Sequence, residues 1–163
     1  MKKAIRALPW IRRGAIFAVC LFGLAAWGAI GSAYAGELSV TTLDDGGVGS
    51  LRQAIAEAAP GDTITFAVEG TITLTAGPLV IGKNLEIAGP GPKELTISGN
   101  HAGRVFVVQN TPPDTSVTIS GMTISKGLAN FDPSFTPPLP QGLGGGILNR
   151  LAGRLTLSNV TVS

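Results

Sequence analysis

Short stretches in which apolar residues alternate with Thr or Ser recur along the chain. The phrase VTISGMTIS at 117–125 returns at 155–163 as LTLSNVTVS. Alternation with a period of two turns the apolar residues to one face of a strand and the hydroxyls to the other. The fifth position is Gly121 or Asn159, and both residue types tolerate the positive φ of a sharp corner. Each phrase therefore predicts two strands that meet at a corner.

Related phrases begin at Ile72 and Leu95, so that three successive starts fall at positions 72, 95 and 117. A nearly constant interval of this length is typical of solenoids, and we interpret each interval as one coil of a β-solenoid. The next start, at 155, comes later than one such coil allows. The excess matches the length of the segment 130–145, which is rich in Pro and Gly. We predict that this segment is an inserted loop.

Other apolar stretches are separated by Gly and Pro, which favour turns. They predict strands at 37–43, 63–68, 71–74, 79–81, 85–88, 95–98 and 104–108. One helix is predicted at 50–59. Ser50 and Gln53 have the spacing of a capping box, in which each side chain accepts from the other residue's amide. Pro60 follows and ends the helix.

The apolar residues of this helix, Leu51, Ala54, Ile55 and Ala58, lie on one face. A helix of this length cannot bury its apolar face alone. The end of a solenoid also exposes an apolar core that needs a cover. We therefore predict that the helix caps the N-terminal end of the solenoid.

The segment 1–35 differs in composition from the rest. Five basic residues precede a charge-free run at 14–30, and Ala33-Tyr34-Ala35 has the small-x-small pattern of a cleavage site. This predicts a secretory signal peptide at 1–35, with an uncleaved transmembrane anchor as the alternative. We expect residues 36–163 to be exported to the medium, the cell surface, the outer membrane or the periplasm, with membrane contact only through the signal peptide.

Loss of the leader reverses the charge balance. It removes five of the twelve basic residues and none of the ten acidic ones, which leaves seven against ten and a formal net charge of −3. Nucleic acid is therefore not an expected partner. The leader also contains the only Cys, both Trp and the only Tyr. We expect no disulfide, so stability has to come from stacked strands.

The stretch 40–66, VTTLDDGGVGSLRQAIAEAAPGDTITF, resembles the opening of bacterial surface and secreted proteins of the pectate-lyase-like superfamily. GGGILN at 144–149, with LTLSNV at 155–160, is similar to repeats of polymorphic outer-membrane and autotransporter-like passenger proteins. The resemblance implies an all-β fold, a single-stranded right-handed parallel β-helix of about four to five coils with a short N-terminal capping helix. The cap would cover about 36–61 and the coils about 62–163. The chain would be the N-terminal part of such a protein.

Lyases and hydrolases of that fold place several carboxylates on one outward strand face. No two acidic residues of this chain take matching positions in successive predicted coils. Asp45 and Asp62 fit ordinary turns. We predict no catalytic residue, no metal and no cofactor, and a non-catalytic structural or adhesive role. The alternatives are a polysaccharide lyase or hydrolase whose active coils lie outside this chain, and a truncated remnant without independent function.

Two further sets of polar residues are interpreted as exposed. His101 is the only histidine and follows Gly99-Asn100 in a turn, so it lacks the partners that a metal site or a catalytic triad requires. Arg104, Arg150 and Arg154 lie near predicted corners, and we interpret them as solvated charges.

Ligand contact is most expected in the inserted loop, because function on solenoids concentrates in such insertions. Phe131 and Phe135 are the candidate ligand-binding residues. The competing and favoured interpretation is that they pack the loop against the neighbouring coil. Expected partners are cell-surface or host macromolecules, or a second copy that pairs with the open C-terminal coil.

Overall fold

The computed structural model describes residues 35–109, 114–129, 145–150 and 153–163. Their elements are β1 Glu37–Val40, α1 Leu51–Glu57, β2 Thr63–Phe66, β3 Gly70–Thr73, β4 Leu79–Ile81, β5 Leu85–Ala88, β6 Leu95–Ser98, β7 Phe106–Gln109, β8 Ser116–Ser125, β9 Ile147–Arg150 and β10 Arg154–Val162. The strand pairs are parallel. The predicted all-β class is confirmed. The leader and the inserted loop lie outside the described residues, except for residues 35 and 145.

The strands form three ladders. β1, β2, β5 and the first halves of β8 and β10 make the first ladder. β3, β6 and the second halves of β8 and β10 make the second. β4, β7 and β9 make the third. The chain visits the ladders in a fixed order, because β2, β3 and β4 pair with β5, β6 and β7 respectively.

The two copies of the long phrase pair with each other in register. Val117 lies opposite Leu155 and Ile124 lies opposite Val162, so the offset along the chain is the same at both ends of the pair. The corner residues Gly121 and Asn159 have φ of 62° and 52°. The predicted positive-φ corner is confirmed for both copies, but each copy is one continuous strand, β8 or β10, with the corner inside it.

The earlier phrases pair differently from the prediction. The phrase at Leu95 was predicted to align with the start at 117, but Ile97 lies opposite Ile124, in the second half of β8. Val117 lies opposite Leu85 instead. The step from Ile97 to Ile124 is longer than the step from Ile64 to Ile87, so the prediction of a nearly constant coil length is wrong. The two halves of the phrase have the same alternation, so sequence likeness cannot tell which half a short copy matches.

Helix α1 begins as predicted but is capped differently on one side. The Ser50 hydroxyl accepts from the Gln53 amide at 3.2 Å, as the capping box requires. The Gln53 side chain accepts from the amide of Gly49, at 2.8 Å, rather than from that of Ser50. The reason is that the Ser50 amide already donates to the carbonyl of Gly47 within the preceding turn.

The apolar face of α1 is buried as predicted, and the helix contacts β1 and β4. It ends at Glu57, before the predicted end at Ala59. The amide of Ala59 donates to the Asp62 carboxylate at 2.7 Å, which draws the chain out of the helix. No helix within the described ranges is long and apolar enough to cross a membrane.

The core consists of inward rows that run along the ladders. Fully buried isoleucines occupy matching positions in the first two ladders: Ile64, Ile87 and Ile119 in the first, and Ile72, Ile97 and Ile124 in the second. Burying one such side chain is worth about 1.5–3 kcal/mol. These rows are therefore a main source of stability.

The outward rows differ between ladders. In the second ladder a hydroxyl row runs through Thr71, Thr96, Thr123 and Thr161. In the third ladder the corresponding row is aliphatic and consists of Val80, Val107 and Leu148. Val80 is 46% exposed. Val107 is buried and Leu148 is half-buried, so Val80 is the exposed member of this aliphatic row.

Candidate functional site

A surface groove of about 290 Å³ lies between α1 and β4. It is lined by Arg52, Ile55, Ala56, Pro78, Leu79, Val80 and Lys83. The helix supplies the first three residues, and the turn and strand at 78–83 supply the rest. Most of the lining is apolar, and the two long cationic side chains are its charged groups.

Arg52 is held in place by the Asp45 carboxylate and by three backbone carbonyls, one of which is Asp45 O, at 3.3 Å from Nε. Its Nη2 lies 2.6 Å from Asp45 Oδ1 and its Nε lies 3.1 Å from the same oxygen. Nη2 also donates to Gly77 O at 2.7 Å, and Nη1 donates to Pro78 O at 3.0 Å. A guanidinium has five N–H donors. Within the described chain, one N–H of Nη1 has no acceptor.

Asp45 joins three segments of the chain. Besides Arg52, it accepts through Oδ2 from the amides of Thr75 and Ala76, at 2.8 and 2.7 Å, and from the Thr75 hydroxyl at 3.1 Å. Burial acts to raise the pKa of Asp45, but the hydrogen bonds from Thr75, Arg52 and Ala76 and the charge of Arg52 outweigh it, so the pKa is lowered. The carboxylate therefore ties the turn before α1 to the helix and to the turn before β4.

This role of Asp45 was missed by the sequence analysis, which interpreted the residue as an ordinary turn aspartate. Its partners Thr75 and Ala76 are distant along the chain, beyond both α1 and β2. The weak signal that was present is an acidic residue before a helix that begins with Leu51-Arg52. Only the pairing of the strands brings the distant amides to it.

Lys83 caps the C-terminal end of α1 from the other side of the groove. Its Nζ donates to Ala58 O at 2.7 Å and to Ala56 O at 3.2 Å. A cation at this end of a helix also interacts favourably with the helix dipole. In the described part of the chain Lys83 has no carboxylate partner, and one of its three ammonium N–H groups has no acceptor.

The groove thus combines apolar walls with two immobilised cations that each keep one donor. Such an arrangement can bind an anionic group beside an apolar body. None of the described residues that line it carries a hydroxyl, thiol, carboxyl or imidazole group. Among the described residues, no three His, Cys, Asp or Glu side chains are placed to hold a metal ion.

The described residues among those singled out from the sequence do not line this groove. Phe131 and Phe135 lie outside the described residues, so their contact with a ligand stays a prediction. His101 is exposed, with φ of 54° in its turn, which confirms the interpretation as an exposed loop histidine. Arg154 is exposed and Arg150 is half-buried.

Arg104 contradicts its prediction, because it is only 7% exposed. The neighbouring Val105 is enclosed between strands: its carbonyl accepts from the Leu79 amide, and its amide donates to Gly146 O. A residue in the middle of a ladder is covered from both sides. The sequence analysis placed it at a free corner, where it would be solvated.

Asp62 is also buried, at 7% exposure. It lies in a turn, as predicted, but it has a wider structural role. Its Oδ1 accepts from the Gly36 amide at 2.7 Å, and its Oδ2 accepts from the Ala59 amide. The carboxylate therefore joins the start of the described chain to the residues after α1.

Carboxylates do not accumulate on the outward rows. Glu37 and Glu86 lie in the same row of the first ladder, but Thr63 stands between them. Glu69 and Glu94, however, directly precede the paired residues Gly70 and Leu95, so the prediction that no two acidic residues match in successive repeats is wrong there. Within the described strands themselves, no two carboxylates lie opposite each other.

Comparison with known proteins assigns the chain to no family. The interpretation of the groove and of the ladders therefore depends on their own contacts, and the likeness of 40–66 and 144–160 to β-helix proteins remains an expectation from sequence. No protein-family model, no curated protein and no solved structure matches the chain.

Proposed function

We propose that the chain forms a right-handed parallel β-helix that is exported and has a non-catalytic, structural or adhesive role at the cell surface or in the medium. One observation carries this proposal: β8 and β10 pair in parallel and in register, although β9 and the whole segment 126–153 lie between them along the chain. A chain that returns to the same register after a long excursion is winding around a common core. Right-handed winding follows the general rule for parallel crossovers.

The division of apolar and polar residues supports a scaffold role. The inward rows are isoleucine-rich and buried, and hydroxyls line the outward row of the second ladder. In parallel strands the members of such a row are about 4.8 Å apart. This gives a regular, uncharged polar wall, suited to contact with other macromolecules. Macromolecules of the cell surface or of a host are the partners that an exported protein would meet.

Self-association is the second kind of contact that we propose. Among the described strands, β10 pairs on one side only, with β8. The side chains on its inward row include Leu157 and Val162, which are 44% and 55% exposed. An unpaired edge with exposed apolar side chains can pair with a strand of another copy.

The proposal is tested with the full chain produced in an export-competent bacterial host. Intact mass of the exported product establishes whether the leader is removed after Ala35. Adhesion is then measured by comparing cells that export the chain with cells that carry an empty vector, on surfaces coated with host glycoproteins. A gain in adhesion, without turnover of acidic polysaccharides by the purified product, is the expected result. Turnover of polygalacturonate would overturn the non-catalytic role.

A further inference from the structure

We propose that the groove between α1 and β4 binds a small ligand that carries a carboxylate beside a compact apolar body. This goes beyond the scaffold role, because it concerns one groove and does not depend on export or on adhesion. The inference follows from the two cations, from the apolar lining and from the size of the groove.

The cations are positioned before any ligand arrives. Backbone carbonyls of Gly77, Pro78, Ala56 and Ala58 hold the Arg52 and Lys83 side chains, which both line the groove. Binding a ligand would therefore cost little of the side-chain entropy that immobilising such long side chains usually requires. The remaining N–H of each side chain, described above, is available to an acceptor.

The local charge favours an anion. The positive charge of Arg52 is matched by Asp45, whereas Lys83 faces only the carbonyls at the end of α1 among the described residues. A carboxylate would supply both the missing counter-charge and two acceptor oxygens. Because the groove is open to solvent, we expect this attraction to weaken with added salt.

The apolar lining indicates that the rest of the ligand should be apolar. Ile55, Pro78 and Val80 provide a surface for aliphatic or aromatic carbon, and Val80 is the exposed end of the aliphatic outer row of the third ladder. A volume of about 290 Å³ is at the lower limit of ligand pockets. One branched aliphatic side chain or one ring with its carboxylate fits this size. An acylated apolar amino acid or the carboxyl terminus of a peptide has this chemistry.

Occupancy should also tighten the contact between the helix and the third ladder. The ligand would touch α1 through Arg52 and Ile55, and β4 through Val80. A ligand that binds only the folded chain stabilises it by mass action. Ligand binding is thus expected to raise the unfolding temperature of the protein.

The test uses the full chain, ¹⁵N-labelled and purified. N-acetyl-leucine is titrated to millimolar concentrations, and N-acetyl-leucinamide serves as the matched neutral control. We expect saturable shifts of the amide signals at 52–57 and 79–83 with the acid, and affinity at least about tenfold lower with the amide. Equal affinities, or no saturable shift with the acid, would overturn the proposal.

A leucine-terminated tetrapeptide, with its carboxyl terminus free or amidated, separates the two sources of the carboxylate. Binding of the free form, and not of the amidated one, supports capture of peptide termini. Binding of N-acetyl-leucine alone supports a small free acid. Both results support the carboxylate site, whereas equal binding of the free and amidated peptides contradicts it.

Two variants that are isosteric with each other isolate the role of charge without disturbing the core. Val80→Glu places a carboxylate in the groove and should abolish binding of N-acetyl-leucine, whereas Val80→Gln should weaken it by less than about tenfold.

A second pair of variants removes a lysine charge. Lys83→Met should lose binding of N-acetyl-leucine, and Lys93→Met, at a lysine away from the groove, should retain it. Equal affinities of the Val80→Glu and Val80→Gln variants would refute the inference even if Lys83→Met failed to fold.

Discussion

Asp45 illustrates how one side chain can hold several segments together. Its two oxygens accept from Arg52 on one side and from Thr75 and Ala76 on the other. An amide in its place would direct an N–H₂ group at one of these sets of donors. Position 45 therefore suits a carboxylate and does not suit Asn, its neutral isostere.

We predict that Asp45→Asn lowers the free energy of unfolding by about 1–3 kcal/mol, because Arg52 or the amides of Thr75 and Ala76 lose a charged acceptor. Chemical denaturation followed by circular dichroism measures this. Asp44→Asn is the matched control: among the described residues Asp44 is hydrogen-bonded only to nearby Thr42, and its substitution should change stability by less than about 0.5 kcal/mol. Equal effects of the two substitutions would contradict the role of Asp45.

The lowered pKa of Asp45 also predicts an acid-dependent loss of stability. In the unfolded chain this carboxyl titrates near its ordinary value of about 3.9. Its folded pKa lies lower. The stabilisation is therefore complete above pH values near 4 and is lost as the pH falls through the folded pKa. Denaturation between pH 7 and pH 2 should show a smaller acid-induced loss in Asp45→Asn than in the wild type.

Gly121 shows a different constraint, in which backbone packing excludes a side chain. Its φ is 62°, and an added Cβ would overlap the carbonyl oxygen of Gly89 on the neighbouring strand. Its counterpart Asn159 has a similar φ of 52°. The corner itself thus accepts Asn, and the approach of Gly89 is what requires Gly at position 121.

We predict that Gly121→Ala destabilises the protein by about 2 kcal/mol or more, through positive φ and steric overlap together. Asn159→Gly is the comparison at the equivalent corner and should change stability by about 1 kcal/mol at most. Thermal unfolding of the two variants measures the difference. A Gly121→Ala variant as stable as the wild type would mean that the strands can separate at this corner at little cost.

At the scale of elements, α1 depends on its first turn. The Ser50 hydroxyl is fully buried, accepts from the Gln53 amide and donates to Gly47 O at 2.8 Å. We predict that Ser50→Ala costs about 1–2 kcal/mol, because the cap is lost and the Gly47 carbonyl loses one of its two donors. Ser39→Ala, on the exposed face of β1, is the control and should be nearly neutral. Urea midpoints for both variants, with helix content monitored, test this.

Elements were predicted more reliably than their pairing. β4, β5 and β6 have the predicted bounds, because alternation and flanking Gly or Pro are local signals. The apolar face of α1 and its first residue were also predicted from local signals. The predicted register of the phrase at Leu95 was wrong. An alternation with a period of two is the same in every such strand, so it does not indicate which strand is the partner. What decides among them is the length of the intervening turns, which the sequence analysis took as nearly constant.

The groove could not be predicted from sequence for the same reason. Arg52 and Lys83 are separated along the chain by three strands, and nothing local marks either as a partner of the other. They line one cavity because α1 packs beside β4. Burial of Arg104 was missed likewise, since it depends on the strands at either side. Long-range contacts of this kind appear only once the register is known.

At the scale of the whole molecule, β10 is the strand through which we expect association. Leu157→Lys should reduce self-association, because it places a charge in the exposed apolar row. Thr156→Lys puts the same charge on the opposite face of the same strand and should have a smaller effect. Sedimentation velocity over a range of concentrations gives the distribution of species. Identical distributions for the two variants would argue against pairing through the apolar row.

A long segment of the chain separates β8 from β10. Gly145 lies against Gly127 and Ala129, so the chain departs and returns at one corner of the ladders. The register on both sides is kept by the strands themselves. A change in the number of residues between positions 129 and 145 should therefore leave the register of β8 and β10 in place, since loop closure costs only about 0.6 kcal/mol per doubling of length. This corner is a natural position for grafting foreign epitopes onto the protein.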